Sequence, residues 1–406
     1  MFLFENKFPI LRQNLIIKQI MERKHFLDNL RWVTVLLVLF YHVIYFYNAK
    51  GVFGGVGGFY EVQPWDAIMS LLYPWFMMLL FLVAGISSRY ALGPAVPEPV
   101  EGSHYLTHKE FIKSRTLKLL VPATIGLFVF QWMTGYFNTH VAGNDVLNSV
   151  PQPIKYFLWA VSGIGPLWFV QDLWVFSMLL VLFRVIGKDW LYNWITKMEG
   201  RYAEYNIPFI TVVNCAGLVL LAFGSFFVIK HPRPETADGL WNLYRPVTYF
   251  VPFLLGYYVY SRESIQEMLV KGRIAYLVFA VVLGTYFTII MYGKNDTAPE
   301  VLSDWPCILY AWFAILAMLS CFKAWADKTS PFATYMTKSS FGIYVVHYLV
   351  IAALGYMMKM YTSLAPWQMY VILFMAVMLL SPLINEVLKR IPFVRWCVLG
   401  IKKEKQ

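Results

Sequence analysis

Charge is scarce in this chain: only 14% of its 406 residues are Asp, Glu, Lys or Arg, against about a quarter in a soluble globular protein. Cysteine is scarce too. Cys215, Cys307, Cys321 and Cys397 all lie in or beside apolar runs, without paired spacing, which argues against a disulfide framework and against a cysteine zinc site. There is no GxGxxG or Walker loop, no HExxH, no GxSxG elbow and no metal-spaced His/Cys cluster. ATP hydrolysis, redox chemistry and metal catalysis therefore have no motif to rest on, and no permanently bound cofactor or metal is expected. Nor is any stretch long and polar enough to fold as a separate soluble domain.

What fills the chain is apolar side chain, at 59% of all residues. A hydrocarbon core of roughly 30 Å needs about 20 apolar residues in a helix. Ten runs of that kind appear, at 31–48, 66–90, 116–136, 165–186, 207–230, 243–260, 272–292, 303–323, 339–360 and 367–389. The run at 243–260 is the weakest, with Arg245, Pro246 and Pro252 inside it. The first follows a long basic leader and ends at Asn48-Ala49-Lys50 rather than at a small-residue cleavage pattern, so it reads as a retained helix.

The net charge of +11 does not mark a nucleic-acid partner, because the basic residues sit between apolar runs. With the N-terminus inside, inner segments exceed outer loops in Lys and Arg by about four to one, and the bias alternates along almost the whole chain, as membrane topology requires. The expected architecture is an all-α polytopic integral membrane protein of about ten transmembrane helices, both termini cytoplasmic. It divides into a cytoplasmic or interfacial N-terminal segment (1–30), a ten-helix membrane domain (31–390) and a basic cytoplasmic tail (391–406). Residues 10–25 mix Leu and Ile with Lys and Arg, as a segment lying on the inner interface would. The one outer loop rich in basic residues, Lys230–Arg245, is either a rigid proline-containing connector or part of an outer acceptor site.

Ionisable side chains at membrane depth are costly and mark functional sites. Arg31 and His42 are eleven residues apart, close to three whole helical turns, so both project from one face about 16 Å apart. This puts a cation at the inner surface and an imidazole near the midplane, with Tyr41 and Tyr45 beside it. Arg115 and Lys118 share a face at the start of the third run and could hold phosphate or carboxylate groups. Arg89 could join them or simply extend to the interface. Asp172 lies about two turns below the outer surface, after Gln171 and under Trp168. Tyr344 and His347 share a face at a depth similar to His42. Glu386 reads as a structural partner for an inner arginine. These residues alone leave three readings open: an enzyme working within the bilayer, a transporter or flippase for a lipid or glycan, and a membrane scaffold. No pairing of interrupted helices in two related halves favours the transporter.

Taken in order, the landmarks resemble a known family. Phe26-Leu27-Asp28-Asn29-Leu30-Arg31 followed by His42 is similar to the first-helix signature of the acyltransferase-3 membrane proteins of bacteria. The resemblance continues through Phe81-Leu82-Val83-Ala84-Gly85, Arg115-Thr-Leu-Lys118 leading to Pro122, Pro166-Leu-Trp168-Phe169 and Ser340-Phe-Gly-Ile-Tyr344-Val-Val-His347. The Leu-Trp-Phe stretch and the length are similar to the branch that includes the glucan succinyltransferase, glucans biosynthesis protein C. Lys118 departs from the paired arginines usual there, and a lysine lacks the bidentate fork. The resemblance implies O-acyl transfer in the inner (cytoplasmic) membrane of the cell. The donor would be cytoplasmic acyl-CoA, a co-substrate, and the acceptor a hydroxyl of an extracytoplasmic glycan in the cell envelope, a form of polysaccharide modification. It further implies that Arg31, Arg89, Arg115 and Lys118 hold the donor's phosphates and that His42 is the general base. Trp168, Asp172, Tyr344 and His347 would then line or support the acceptor side. With no soluble domain after the last run, any second transfer step would need a partner protein. The lipid bilayer is the implied surrounding, and a homo-oligomer stays open.

Overall fold

The computed structural model describes residues 24–50, 55, 57–93, 105–143, 145–187, 189–204, 209–230 and 245–402. The N-terminal stretch up to residue 23, with most of the interfacial segment, and the loop 231–244 lie outside the described residues. Every regular element described is helical. The long helices are α1 (His25–Tyr47), α2 (Phe76–Leu92), α3 (His108–Arg115), α4 (Trp132–Val141), α5 (Gln152–Ser162), α6 (Trp168–Gly187) and α7 (Trp190–Glu204). They are followed by α8 (Phe209–Lys230), α9 (Pro246–Leu255), α10 (Glu263–Met291), α11 (Trp305–Trp325), α12 (Pro331–Tyr361), α13 (Pro366–Arg390) and α14 (Pro392–Leu399).

Among the described residues, eight helices are long and apolar enough to cross a membrane, rather than ten. The two expected runs that fall short, 116–136 and 243–260, are helical but interrupted. The first opens with a π-helical turn at Thr116–Leu120, breaks around Pro122 and passes through a second π turn, Leu127–Gln131, before α4. The second enters through Arg245 in the left-handed conformation, carries Pro252 inside α9 and ends in a π turn at Gly256–Tyr260. Proline has no amide hydrogen to donate and its ring crowds the preceding turn, so an apolar run holding one need not be a regular helix. The chain is an all-α polytopic membrane protein.

Burial sorts the helices into two groups. Along α10 and α13, Val278, Val281, Val282, Ile289, Leu379 and Leu383 are exposed, as side chains meeting lipid would be. By contrast α1, α2, α11 and α12 bury most of their length. Glycine permits the closest crossing. A Cβ on Gly85 of α2 would lie 2.0 Å from the Phe253 carbonyl oxygen, and one on Gly256 would lie 2.1 Å from that of Leu82. Each helix thus presses its backbone into the other's glycine, the small-residue contact by which membrane helices associate without a hydrophobic driving force. Beside this crossing, Phe81 packs against Phe169 at 4.6 Å, Tyr249 at 5.1 Å and Phe176 at 5.2 Å.

A buried ion pair ties the outer ends together. Lys50, just after α1, donates to Asp296 at 2.8 Å and to Ser70 at 2.7 Å, and both charged side chains are almost wholly enclosed. Removing one member leaves the other charge uncompensated, whereas replacing both with apolar groups need not cost stability. Asp296→Ala should therefore lower stability by about 3–5 kcal/mol. The double variant Lys50→Met/Asp296→Leu should recover most of that loss in thermal unfolding of detergent-solubilised protein. Equal melting of the single variant and wild type would show that the pair contributes nothing.

Candidate active site

At the end of the bundle that loop charge assigns to the inner side, a cavity of about 700 Å³ opens between α1, α2, α3, α6 and α12. Six cationic side chains line it: Arg31, Arg115, Lys118, Lys338, Lys389 and Lys402. No carboxylate does, among the described residues. Its other walls are apolar and include Val35, Leu80, Ala84, Phe169 and Leu173.

Local chemistry sets the position of each cation. α3 starts at a capping box: Thr107 accepts from the Glu110 amide at 3.3 Å, and Glu110 accepts from the Thr107 amide at 2.9 Å. Those hydrogen bonds hold the Glu110 carboxyl below the usual range, the Thr107 amide contributing most. Arg115 ends this helix, and the π turn that follows spreads the side chains. Ser114, Arg115, Leu117, Lys118 and Leu119 all reach the cavity wall, more of the circumference than one face of a regular helix offers. The C-terminal residues contribute as well. Gly400, with φ +63°, sits against Leu117 and Lys118 so closely that a Cβ would lie 2.6 Å from the Leu117 carbonyl oxygen. The stretch expected to be a tail thus packs α14 against the bundle and brings Lys402 to the cavity.

Two adjacent serines of α2 hold two arginines from different helices. Ser87 accepts from Arg31 at 2.8 Å and Ser88 accepts from Arg115 at 3.0 Å. Each serine directs its own hydroxyl hydrogen to the carbonyl one turn back, Val83 and Ala84 respectively, leaving its lone pairs for the guanidinium. Arg31 is also paired with Asp28 at 3.3 Å. Lys389 is bonded to Glu386 at 2.7 Å and to Ser339 at 2.9 Å, so Glu386 partners a lysine and not the expected arginine.

Arg89 does not join this group. It pairs with Asp189 at 2.7 Å, its guanidinium lies 3.8 Å from the centre of the Tyr192 ring, and it is absent from the cavity wall. Its charge is committed to anchoring the start of α7, because a cation enclosed at this depth needs a carboxylate more than it needs solvent. It therefore stands apart from the cations with which it was expected to hold a donor.

Above the cavity, α1 and α12 bring their histidines together: His42 Nδ1 lies 3.0 Å from His347 Nε2. His347 is fully buried, whereas His42 is half-buried. The His347 Nδ1 hydrogen donates to the Tyr344 carbonyl at 2.5 Å, and the Tyr344 hydroxyl donates to the Pro166 carbonyl. Tyr344 itself lines the cavity, so one residue joins its wall to the histidine pair. Rings of Tyr41, Tyr45 and Tyr348 surround His42 at 5.3–5.8 Å. Trp168 packs against Tyr249 at 5.2 Å. Asp172 buries Oδ2 without a hydrogen-bond partner among the described residues, bonding to neither histidine.

Sequence reasoning reached Arg31, His42, Arg115, Lys118, Tyr344 and His347, and the structure gathers these along one inner-to-central path. It missed Ser87, Ser88, Lys338, Lys389 and Lys402. The serines carried one available signal, since Ser-Ser directly precedes Arg89 at an inner helix end.

All-helical, membrane-spanning, and built around a cationic cavity that leads to a pair of histidines, the chain has the layout of an integral membrane enzyme. A family model described as an acyltransferase domain matches residues 24–386, nearly the whole chain. The chain belongs to the acyltransferase-3 family and is an O-acyltransferase, moving groups other than aminoacyl groups. No curated protein and no solved structure matches it significantly.

The serine clasp yields a directional expectation. Replacing Ser87 and Ser88 together by alanine releases both guanidiniums from α2 without removing a charge, and Arg31 keeps its pair with Asp28. It should weaken donor binding by about tenfold, for roughly 1.5 kcal/mol lost from hydrogen bonds to charged groups. Calorimetric titration of the purified protein with donor measures this, and unchanged affinity would assign the clasp to packing alone.

Proposed function

We propose that the protein transfers an acyl group of acetyl or succinyl type from cytoplasmic acyl-CoA to a hydroxyl of an extracytoplasmic glycan, with His42 as general base. The observation that carries this reading is the cavity: several cations and, among the described residues, no carboxylate, an opening on the side that loop charge assigns to the cytoplasm, and the histidine pair above it. Coenzyme A offers phosphates for such cations and a thin arm for the apolar walls. Arg31 and Arg115, held by Ser87 and Ser88, would take the phosphates with Lys118. Lys338, Lys389 and Lys402 surplus to that task would accept a carboxylate on the acyl group. Such a group accords with the likeness of the Leu167-Trp168-Phe169 stretch to the glucan succinyltransferase branch.

The reaction balances without a metal or a bound cofactor. The acceptor hydroxyl gives its proton to His42 as its oxygen attacks the thioester carbonyl. A C–O bond forms, the C–S bond breaks, and His42 returns the proton to the departing thiolate. Trp168 and Asp172 would line the acceptor side, the Asp172 oxygen that has no hydrogen-bond partner among the described residues receiving a sugar hydroxyl and the indole covering a sugar face. The protein would act in the inner membrane of the cell.

Two measurements test this. Mass spectrometry of envelope polysaccharides from cells with and without the protein should reveal one acyl substituent that disappears on deletion. Purified His42→Ala should lose about 10²–10⁴-fold in kcat with acyl-CoA as donor. Wild-type turnover by that variant would end the general-base assignment. Cargo movement into liposomes without any donor would favour the transporter reading instead.

A further inference from the structure

We propose that His347 is a positioning residue that fixes the tautomer of His42, with the proton on Nδ1 and the lone pair on Nε2. The proposal rests on the reading of His42 as general base and adds which nitrogen does the work. Its premises are two contacts. A carbonyl oxygen can only accept, so the 2.5 Å contact between His347 Nδ1 and the Tyr344 carbonyl requires hydrogen on that nitrogen. A neutral imidazole protonated on Nδ1 has only a lone pair on Nε2. That Nε2 faces His42 Nδ1 at 3.0 Å, so the hydrogen between them belongs to His42. The Val38 carbonyl, one turn back on α1, also lies within reach of the His42 ring; taken from Nδ1, as His140 does from the Tyr136 carbonyl, that contact asks for the same hydrogen, and the remaining nitrogen, Nε2, is then bare.

Surroundings keep His347 neutral. It is fully buried, and the side chains whose rings pack around it are Tyr344, Tyr348 and His42, with no carboxylate among the described residues hydrogen-bonded to either of its nitrogens. Tyr344 is itself held through its hydroxyl to Pro166, ahead of α6, so the carbonyl that orients His347 is anchored from a third element. Pro166, Tyr344, His347 and His42 thus form a relay of orientation in which only the last member changes protonation. As the acceptor oxygen attacks, its proton moves to His42 Nε2. The resulting imidazolium keeps its Nδ1 hydrogen on His347 Nε2, now a charge-assisted bond, until the Nε2 proton passes to the leaving thiolate. A carboxylate fills the corresponding place in serine hydrolase triads; here a neutral imidazole supplies the acceptor.

The test uses full-length protein labelled with ¹⁵N-histidine in lipid nanodiscs, together with turnover. Spectra of His42→Gln and His347→Gln assign the two rings. In the wild type His42 should show a protonated Nδ1 and a bare Nε2, with coupling across the bond to His347 Nε2. In His347→Ala that coupling disappears and His42 should populate both tautomers. kcat should fall by roughly 100-fold, while KM for acyl-CoA stays within about twofold. His347→Gln, whose amide oxygen can accept from His42 Nδ1, should recover at least roughly tenfold of that loss. A proton on His42 Nε2 in the wild type would overturn the proposal, and so would undiminished kcat in His347→Ala or a loss that glutamine fails to recover. Should wild-type protein transfer nothing from acyl-CoA, the general-base reading falls and the spectra still decide the tautomer.

Discussion

The hydrocarbon core of a bilayer offers no water to a buried charge or an unpaired amide, and the rest of this structure follows from that constraint. Polar groups at depth must find partners within the protein or open onto an internal cavity. Even at the ends of the spans, where the chain leaves that core, enclosed charges are paired: Lys50 meets Asp296, Arg89 meets Asp189, and Arg262 meets Glu199. Against that background the six cations around the cavity stand out, because among the described residues only Arg31 and Lys389 of the six have a carboxylate ion pair. A region of positive charge maintained at such cost is what an anionic ligand would complete.

The same constraint explains why the histidines pair with each other. An isolated imidazole at the depth of His347 would leave polar nitrogens unsatisfied. Two rings joined to a carbonyl satisfy three of their four nitrogens and leave one on His42. Stability of the helix contact and, on the proposed mechanism, reactivity of a single atom therefore come from one arrangement. The central helices α1 and α12, which supply these rings, are also among the most buried. A site of this kind gains from placement on rigid elements, since misplacement of a base by an ångström costs rate steeply.

Much of this was legible from residue order. Helical periodicity alone set Arg31 and His42 on one stripe, and they do share the unbroken α1. Apolar length gave every membrane segment its place, including the two that turned out to be interrupted; Pro122 in the first, and Arg245, Pro246 and Pro252 in the second, carried the hint of the breaks. Depth was legible for His347, but its contact with His42, 305 positions away, was not. The place of Arg89 apart from the cavity was not legible, because an arginine at an inner helix end looks the same whether it faces a cavity or an aspartate one hundred residues on. Lys338, Lys389 and Lys402 were hidden by the very asymmetry that revealed topology. Where every inner loop is basic, no single lysine announces a site.

Ser87 and Ser88 are neighbours on one helix, so their hydroxyls leave its axis about 100° apart. That angle divides them between α1, which holds Arg31, and α3, which holds Arg115. The separation of the two guanidiniums is therefore written into the rotational setting of α2, and Gly85, locked against Phe253 one turn earlier, holds that setting. Ligand geometry at the inner surface is thus calibrated by a backbone contact deeper in the membrane. A chain that lengthened or shortened α2 by one residue between Gly85 and Ser88 would keep every charge and still lose the spacing between them.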